Sequence, residues 1–516
     1  MSRTKNFLYN MSWKLGSTAV TAVMNFLNRY IFMHWMGAEY LGVSGLFSSV
    51  LGVLSFADLG LAGAFSFCFY QAIAKGDKGH CSVLITTLEK LLNIAALCIF
   101  AIGLLLVPVL PMLVTGSSKV DMFHLRLYYV LFLLDMVNGY LFMARTCYVT
   151  AHQKEFLTMP ITIGFGTAKV LVGIICILAT RNYILYLISG IVVGLLQRLT
   201  LNHSICRRFP EAKIKKGGTL SIQEKTSIKR NIKAAVISKM AGISVQQTDN
   251  ILISAGVGIV ITGYVSNYIS IKAIVLGVLS NISTCLTPSM GNAMVTETKE
   301  RQLEIFYQYV ASNMFLVGMS CTLLTVLSTP FIKLMFEAQA VLPFDVVAMM
   351  NFATLFMYST YALNILPSAA GRHDIGVSTI WIEGVGNLVF SLIAMHYLGL
   401  LGVYVGTVLS ELIVYIIKPF IVMKKLYACS PSLYFKITAK GIISVVMLCG
   451  LMQKIGELIF FRWDGWFSFF VYALLSGIFS IAGYSLIHCK DVWYKKVILL
   501  GIQLAKSGLA SRKQYP

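Results

Sequence analysis

The 516-residue sequence predicts an all-α integral membrane protein of about fourteen transmembrane helices, arranged as two pseudo-symmetric six-helix bundles plus a C-terminal helix pair. Three observations predict it. Apolar residues make up 57% of the chain and charged residues 12%, with a mean hydropathy of +0.77. That is more apolar surface than a soluble domain can hide, and a bilayer accepts it. Apolar windows of helical length recur along almost the whole chain, and the lysines and arginines between them fall on alternate connections.

Windows of about 20 apolar residues, the length that crosses hydrocarbon as a helix, fall near 8–36, 41–73, 83–112, 124–148, 157–180, 183–201, 233–256, 262–290, 306–334, 343–367, 374–397, 401–424, 436–460 and 466–488. The first follows Arg3 and Lys5, as a signal peptide would. It runs on to Met36 with no small-residue cleavage site, so it reads as a retained span. An even number of spans returns both ends to one side. One set of connections carries Arg3, Lys5, Lys75, Lys78, Lys154, Arg207, Arg208, Lys213, Lys215, Lys216, Lys299, Arg301, Arg372, Lys424, Lys425, Lys490, Lys495 and Lys496. The alternate set holds little beyond Lys119, Arg181 and Arg462. The positive-inside rule therefore places both termini in the cytoplasm. The net charge of +21 is then a signal of topology, and no nucleic-acid partner is expected.

The connections also divide the chain. The expected organisation is a first bundle over 1–205, a basic glycine-containing cytoplasmic linker over 206–232, a second bundle over 233–428, spans 13 and 14 within 429–490, and a cytoplasmic tail over 491–516. The eleven cysteines are scattered through apolar runs without a C-x-x-C pair, and the eight histidines show no H-x-x-x-H spacing. No metal, disulfide framework or cofactor is expected from them, and no phosphate-binding loop of the ATPase type is present.

The word LGVLS occurs at 51–55 and again at 276–280. A repeated five-letter word arises by chance in roughly one such chain in three, so its surroundings decide. Asn25, Asn28, Arg29, Gly37 and Gly42 match Gln246, Asp249, Asn250, Gly258 and Gly263 at one offset, 221 residues. A polar triplet spaced i, i+3, i+4 in the first helix of each half, followed by glycines at equal distances, marks a duplication. Six spans per half give the two copies the same orientation, as in the parallel repeats of secondary transporters, where substrate binds between the halves.

The polar residues of these helices are the candidate substrate-binding groups. Thr18, Thr21, Asn25, Asn28 and Arg29 share one face of span 1. A charge facing lipid costs several kcal/mol, so Arg29 is expected to face an interior cavity; snorkelling to the interface is the bland alternative. Span 7 offers Gln246, Asp249 and Asn250, and span 8 offers Lys272 at similar depth. An internal Asp249–Lys272 ion pair is the structural alternative there. Lys169 lies mid-span in span 5, with Asp58 and Asp135 as candidate partners. Glu383 and Glu411 lie mid-span in spans 11 and 12, available to titrate or to pair with Lys418. Asp58, Asp249, Glu411 and Glu383 are the candidate ion-coupling groups. Span 10 aligns Asn351, Thr354, Tyr358 and Tyr361 along one face, a surface on which sugar rings could stack or helices simply pack.

The stretch GAEYLGVSGLFSSVLGVLSFADLGLAGAFSFCFY at 37–70, with Arg29 just before it, resembles the polysaccharide-export flippases of the multidrug/oligosaccharidyl-lipid/polysaccharide (MOP) exporter superfamily. TDNILISAGVGIVITGYVSNY at 248–268 resembles their seventh span, and AHQKE at 151–155 and AAGRHDIG at 369–376 are similar to family stretches. The likeness extends over nearly the whole chain in span number and loop pattern. It implies a non-enzymatic bacterial inner-membrane protein that moves an oligosaccharide linked to undecaprenyl pyrophosphate from the cytoplasmic to the outer leaflet. It further implies partners among the polymerase and glycosyltransferases of the same pathway, and membrane lipid. The driving force stays open: Asp58, Asp249 or Glu411 could couple to H+ or Na+, or the membrane potential and consumption at the outer leaflet could suffice. Cations of the family's cavity correspond to Arg29 and Lys272; Asn250 occupies the repeat position of Arg29, so the second half lacks a matching cation there.

Two rivals remain on the sequence. A cation-coupled multidrug exporter of the same superfamily would favour a carboxylate-rich cavity, against Arg29, Lys169 and Lys272. A membrane polymerase or glycosyltransferase would present catalytic groups on sizeable outer loops, whereas the first outer connection offers only Glu39.

Overall fold

A computed structural model describes residues 3–55, 61–116, 120–213, 220–336, 338–370, 372, 375–462 and 465–496. Among the described residues the chain forms sixteen α-helices joined by short turns, and no strand. α1 (Arg3–Trp35) fills the first window, and α2 (Ala38–Leu54) with α3 (Leu61–Ala74) fills the second. α4 (Lys78–Leu106) is the third. α5 (Met122–Asn138) and α6 (Met143–Ala151) share the fourth and bend by 41° at their break, where Phe142 takes a left-handed conformation. α7 (Met159–Thr180), α8 (Tyr183–Arg208), α9 (Ile222–Gly256), α10 (Ile259–Thr296), α11 (Lys299–Phe336), α12 (Phe344–Ala369), α13 (Val377–Leu398), α14 (Leu400–Tyr427), α15 (Ser432–Arg462) and α16 (Trp466–His488) follow in register with the remaining windows.

Ten of these helices are long and apolar enough to span a bilayer, or eleven if the bent pair counts as one span. α1 and α9, at 33 and 35 residues, have the length. They fall short on apolarity because they carry the polar residues singled out above. Polar groups on a spanning helix belong against protein or water rather than lipid.

The chain divides into two compact units, Met1–Ser266 and Asn267–Pro516, so that α9 and the first turns of α10 belong to the first unit. In the first unit α1 packs on α7, α2 on α9, and α3 on α4 and α9. Its core centres on Phe47, Phe65, Phe69, Tyr129 and Tyr148, all 1% exposed or less. In the second unit α13 packs on α14, α12 on α14, and α11 on α12 and α15, around Phe306, Leu355 and Tyr434. Gly402 and Gly406 of α14 lie against the backbone of Ala394 and Ser391 on α13, which lets that hairpin close backbone to backbone.

The duplication is visible in the backbone. Gly37 breaks α1 from α2 at φ 95°, and Gly258 breaks α9 from α10 at φ 140°. The Gly37 N–H donates to Phe32 O at 3.3 Å and the Gly258 N–H to Ile253 O at 2.8 Å, again 221 residues apart. A positive φ at both turns explains why glycine stands there. The loop after α4 holds both turns. Val120 N–H donates to the Glu39 carboxylate at 3.1 Å, and Thr115 donates its N–H to Ser254 O and accepts from Ile259 N–H at 3.0 Å. Glu39 is therefore a buried structural acceptor.

AHQKE at 151–155 makes a turn at the end of α6: Gln153 sits at φ 57°, and the His152 ring packs on Tyr148 and Phe209. In AAGRHDIG, Gly371, His373 and Asp374 lie outside the described residues.

Candidate substrate-binding site

In the first unit, α1, α2, α9 and the start of α10 bring the repeat-related polar residues together. The face of α2 that makes this possible is built from small residues at 42, 45, 49 and 52. A methyl placed on Gly42 would overlap the Ile259 carbonyl oxygen, and one on Gly263 would overlap the Ala38 carbonyl oxygen. These two contacts are images of each other under the 221-residue repeat, the self-complementary pattern of a two-fold interface. One turn on, Gly45 faces Thr262 and Ser266; Gly52 faces Gln247 so closely that a Cβ would come 2.8 Å from its amide. The first LGVLS word thus contributes a glycine that accommodates a polar side chain. The glycine of the second word, Gly277, has nothing within 4 Å.

Against this face sit the candidate residues. The Arg29 guanidinium donates to Ser266 Oγ at 3.1 Å, and the Asn250 amide donates to Ser49 Oγ at 3.0 Å. Arg29 and Asn250 are repeat equivalents, and each reaches a serine on the helix that follows the other's. Asn28 donates to the Tyr186 hydroxyl of α8 at 3.1 Å. Arg29 is half-buried and shares its surroundings with the Tyr186 ring. Tyr186 in turn stacks on Tyr183 and lies edge-on to Phe32, so the aromatic wall behind the arginine is fixed. The Oδ1 atoms of Asn28 and Asn250 are buried with no hydrogen-bond partner among the described residues. Buried acceptors are seldom left so, and each is a place where a hydroxyl or water donor fits.

The remaining candidates are distributed as follows. Asn25 is exposed on α1 and Asp249 half-buried on α9; the Gln246 side chain and Asp58 lie outside the described residues. Lys169 is bound to Asp135, at 2.9 and 3.2 Å to its two oxygens, with both side chains 40% exposed. Of its two candidate partners the structure describes this one. Removing one member leaves an uncompensated charge within a spanning helix. Lys169→Met is therefore expected to lose on the order of 1–3 kcal/mol of stability, between exposed and buried ion pairs. Lys169→Met with Asp135→Asn should recover much of that loss, as thermal denaturation in detergent would measure; no recovery would mean that the lysine acts apart from its partner. Arg145, near the end of the fourth window, is 7% exposed and bonds Asn202 and Cys206 inside the unit.

In the second unit Lys272 is half-buried on α10, within electrostatic reach of Cys321 on α11. Tyr358 stacks on Tyr361 at 5.6 Å with the planes 22° apart, and Tyr358 is 8% exposed. Asn351, two turns before Tyr358 on the same face of α12, is buried with neither amide atom partnered among the described residues. Glu383 of α13 and Glu411 of α14 share their surroundings with Lys418, two turns beyond Glu411. Glu411 and Lys418 are 1% and 4% exposed. Two carboxyl groups near one buried cation form an arrangement that can take up or release a proton.

Sequence reasoning missed the residues that receive the stripe. Ser49, Tyr186 and Ser266 carried no signal of their own, whereas glycines at 42, 45 and 52 spaced three and seven apart could have pointed to the close helix approach.

These features define an all-α multi-pass membrane protein with a duplicated, polar-lined helix quartet. No family model and no curated protein matches the sequence. Among solved structures it is similar to the lipid II flippase MurJ in an inward closed conformation, with a TM-score of 0.68 at 13% identity, covering 93% of this chain and 99% of that one. It is also similar to an inward-facing multidrug resistance MATE family transporter of the MOP superfamily (TM-score 0.61, 14% identity, 77% of this chain and 92% of that one). The eukaryotic MATE transporter AtDTX14 is similar at a TM-score of 0.56 and 13% identity, over 86% of this chain and 98% of that one. The fold is one that a flippase and multidrug transporters share.

Proposed function

We propose that the protein is a flippase that carries undecaprenyl-pyrophosphate-linked oligosaccharide units from the cytoplasmic to the outer leaflet of a bacterial inner membrane, by alternating access, for surface polysaccharide export. Both termini are cytoplasmic in this reading. The observation that carries it is the pairing of Arg29 with the unpartnered Asn28 and Asn250 oxygens. A pyrophosphate asks for a cation that always stays charged, and sugars ask for hydrogen-bond acceptors in a water-lined passage. The lipid tail needs no such provision and stays in the bilayer. Liposomes holding the purified protein and such a lipid on the inner leaflet test the proposal. Protein-dependent access of an external lectin to the sugar is expected, and access equal to protein-free liposomes would overturn it.

The Glu383–Glu411 pair favours a second reading, an ion-coupled multidrug exporter. In the flippase reading the same pair is the proton-coupling element. Glu411→Gln is then expected to remove the response of transport to an imposed pH gradient. A response equal to the unmodified protein would give the pair a purely structural role. Efflux of an organic cation dye by the same liposomes, without lipid flipping, would establish the exporter instead.

A further inference from the structure

The helix pair that follows the second bundle carries a cavity of its own. It measures about 500 Å³ and lies between the start of α15, the end of α16 with the segment after it, and the middle of α11. Its floor is a closed network. Lys440 donates to both oxygens of Asp491 at 2.9 Å, Asp491 meets His488 at 2.6 Å, and His488 meets Ser444 at 3.0 Å while stacking on Tyr484. Burial would raise the Asp491 carboxyl, but the hydrogen bonds from Lys440 and His488 outweigh it and hold the group below its ordinary value. Asp491 therefore stays charged and is spent on Lys440.

The rim is different. Lys436 and Lys490 both line the cavity, both are exposed, and neither makes an ion pair or hydrogen bond among the described residues. The network neutralises itself, so these two lysines leave an excess of positive charge at the mouth. The walls beside them are apolar: Met314, Leu433 and Ile437. Trp493, packed on Tyr307 with Lys496 over its ring, stands at the same level. Free cations above apolar walls, with tryptophan at the end of a spanning helix, match a molecule with a charged head and a greasy body at a membrane interface. A soluble anion would have no use for the walls.

We propose that this cavity binds the phosphate of an anionic membrane lipid, through Lys436 and Lys490, on the basic side of the membrane. The site shares no residue with the Arg29 site, so it does not depend on which substrate is carried.

The test is native mass spectrometry of the purified protein with phosphatidylglycerol or phosphatidylcholine added. The unmodified protein should retain phosphatidylglycerol and not phosphatidylcholine, and Lys436→Gln with Lys490→Gln should weaken that retention roughly tenfold or more. Lys424→Gln with Lys425→Gln removes equal charge at the end of α14, outside the cavity, and should leave retention unchanged. Equal retention in the rim variant, or equal loss in the α14 variant, would overturn the proposal. Inorganic pyrophosphate at the same concentration separates a lipid site from a plain phosphate site: retention despite it supports the lipid, and displacement by it overturns the assignment. Thermal denaturation guards against misfolding. Added phosphatidylglycerol should raise the melting temperature of the unmodified protein and leave the rim variant, otherwise equal in stability, where it was.

Discussion

Arg29→Ala is expected to reduce export of the lipid-linked oligosaccharide by roughly tenfold to a hundredfold or more, the worth of one or two charge-assisted hydrogen bonds to a phosphate. Membrane insertion and thermal stability should change little. The argument rests on what surrounds the guanidinium. It reaches Ser266, a neutral partner, and it lies on α1 beside Asn28, whose amide oxygen is buried without a donor. A substituted alanine leaves that serine with its own backbone bond to Gly263 O. Lysine at this position keeps the charge but loses the planar fork, and should restore export only partly. Export at the unmodified level from Arg29→Ala, at equal abundance in the membrane, would move Arg29 to the interfacial role its sequence position also allowed.

Gly42→Val and Gly263→Val are each expected to lower the melting temperature and to abolish transport. Both glycines lie where α2 and α10 approach so closely that even a methyl would overlap a main-chain carbonyl, Ile259 for one and Ala38 for the other. A rigid β-branched side chain has no flexible neighbour to displace, so the helices must separate. Overpacking of this kind costs about 1–3 kcal/mol, and more where backbone must move. Because the two contacts are one crossing seen from both sides, the double variant should lose much less than the sum of the single losses. Additive losses, or an unaltered Gly42→Val protein, would show that the helices do not depend on this crossing.

The windows of apolar residues were sufficient to locate nearly every helix, because a bilayer imposes both length and composition on a span. The duplication was legible for a related reason. Gly37 and Gly258 must take positive φ at equivalent turns, so they persist at equal spacing while neighbours diverge. Less was legible where function depends on pairings across the sequence. Nothing in the one-dimensional pattern links Lys169 to Asp135, or Asn250 to Ser49, since those partners are set by which helix faces pack. The break in the fourth window was also hidden. Apolarity continues through Phe142, and only its left-handed backbone reveals the bend. Glu39, set aside as a lone outer-loop acid, turned out to hold the 120 region to the α1–α2 turn.

The central claim is that this protein moves a completed, lipid-linked sugar unit across the membrane, and its most direct test is the sidedness of that unit in cells depleted of the protein. Build-up on the cytoplasmic leaflet, relieved by the unmodified protein and not by Arg29→Ala, is the predicted result. Normal appearance of the unit on the outer leaflet after depletion would contradict the account.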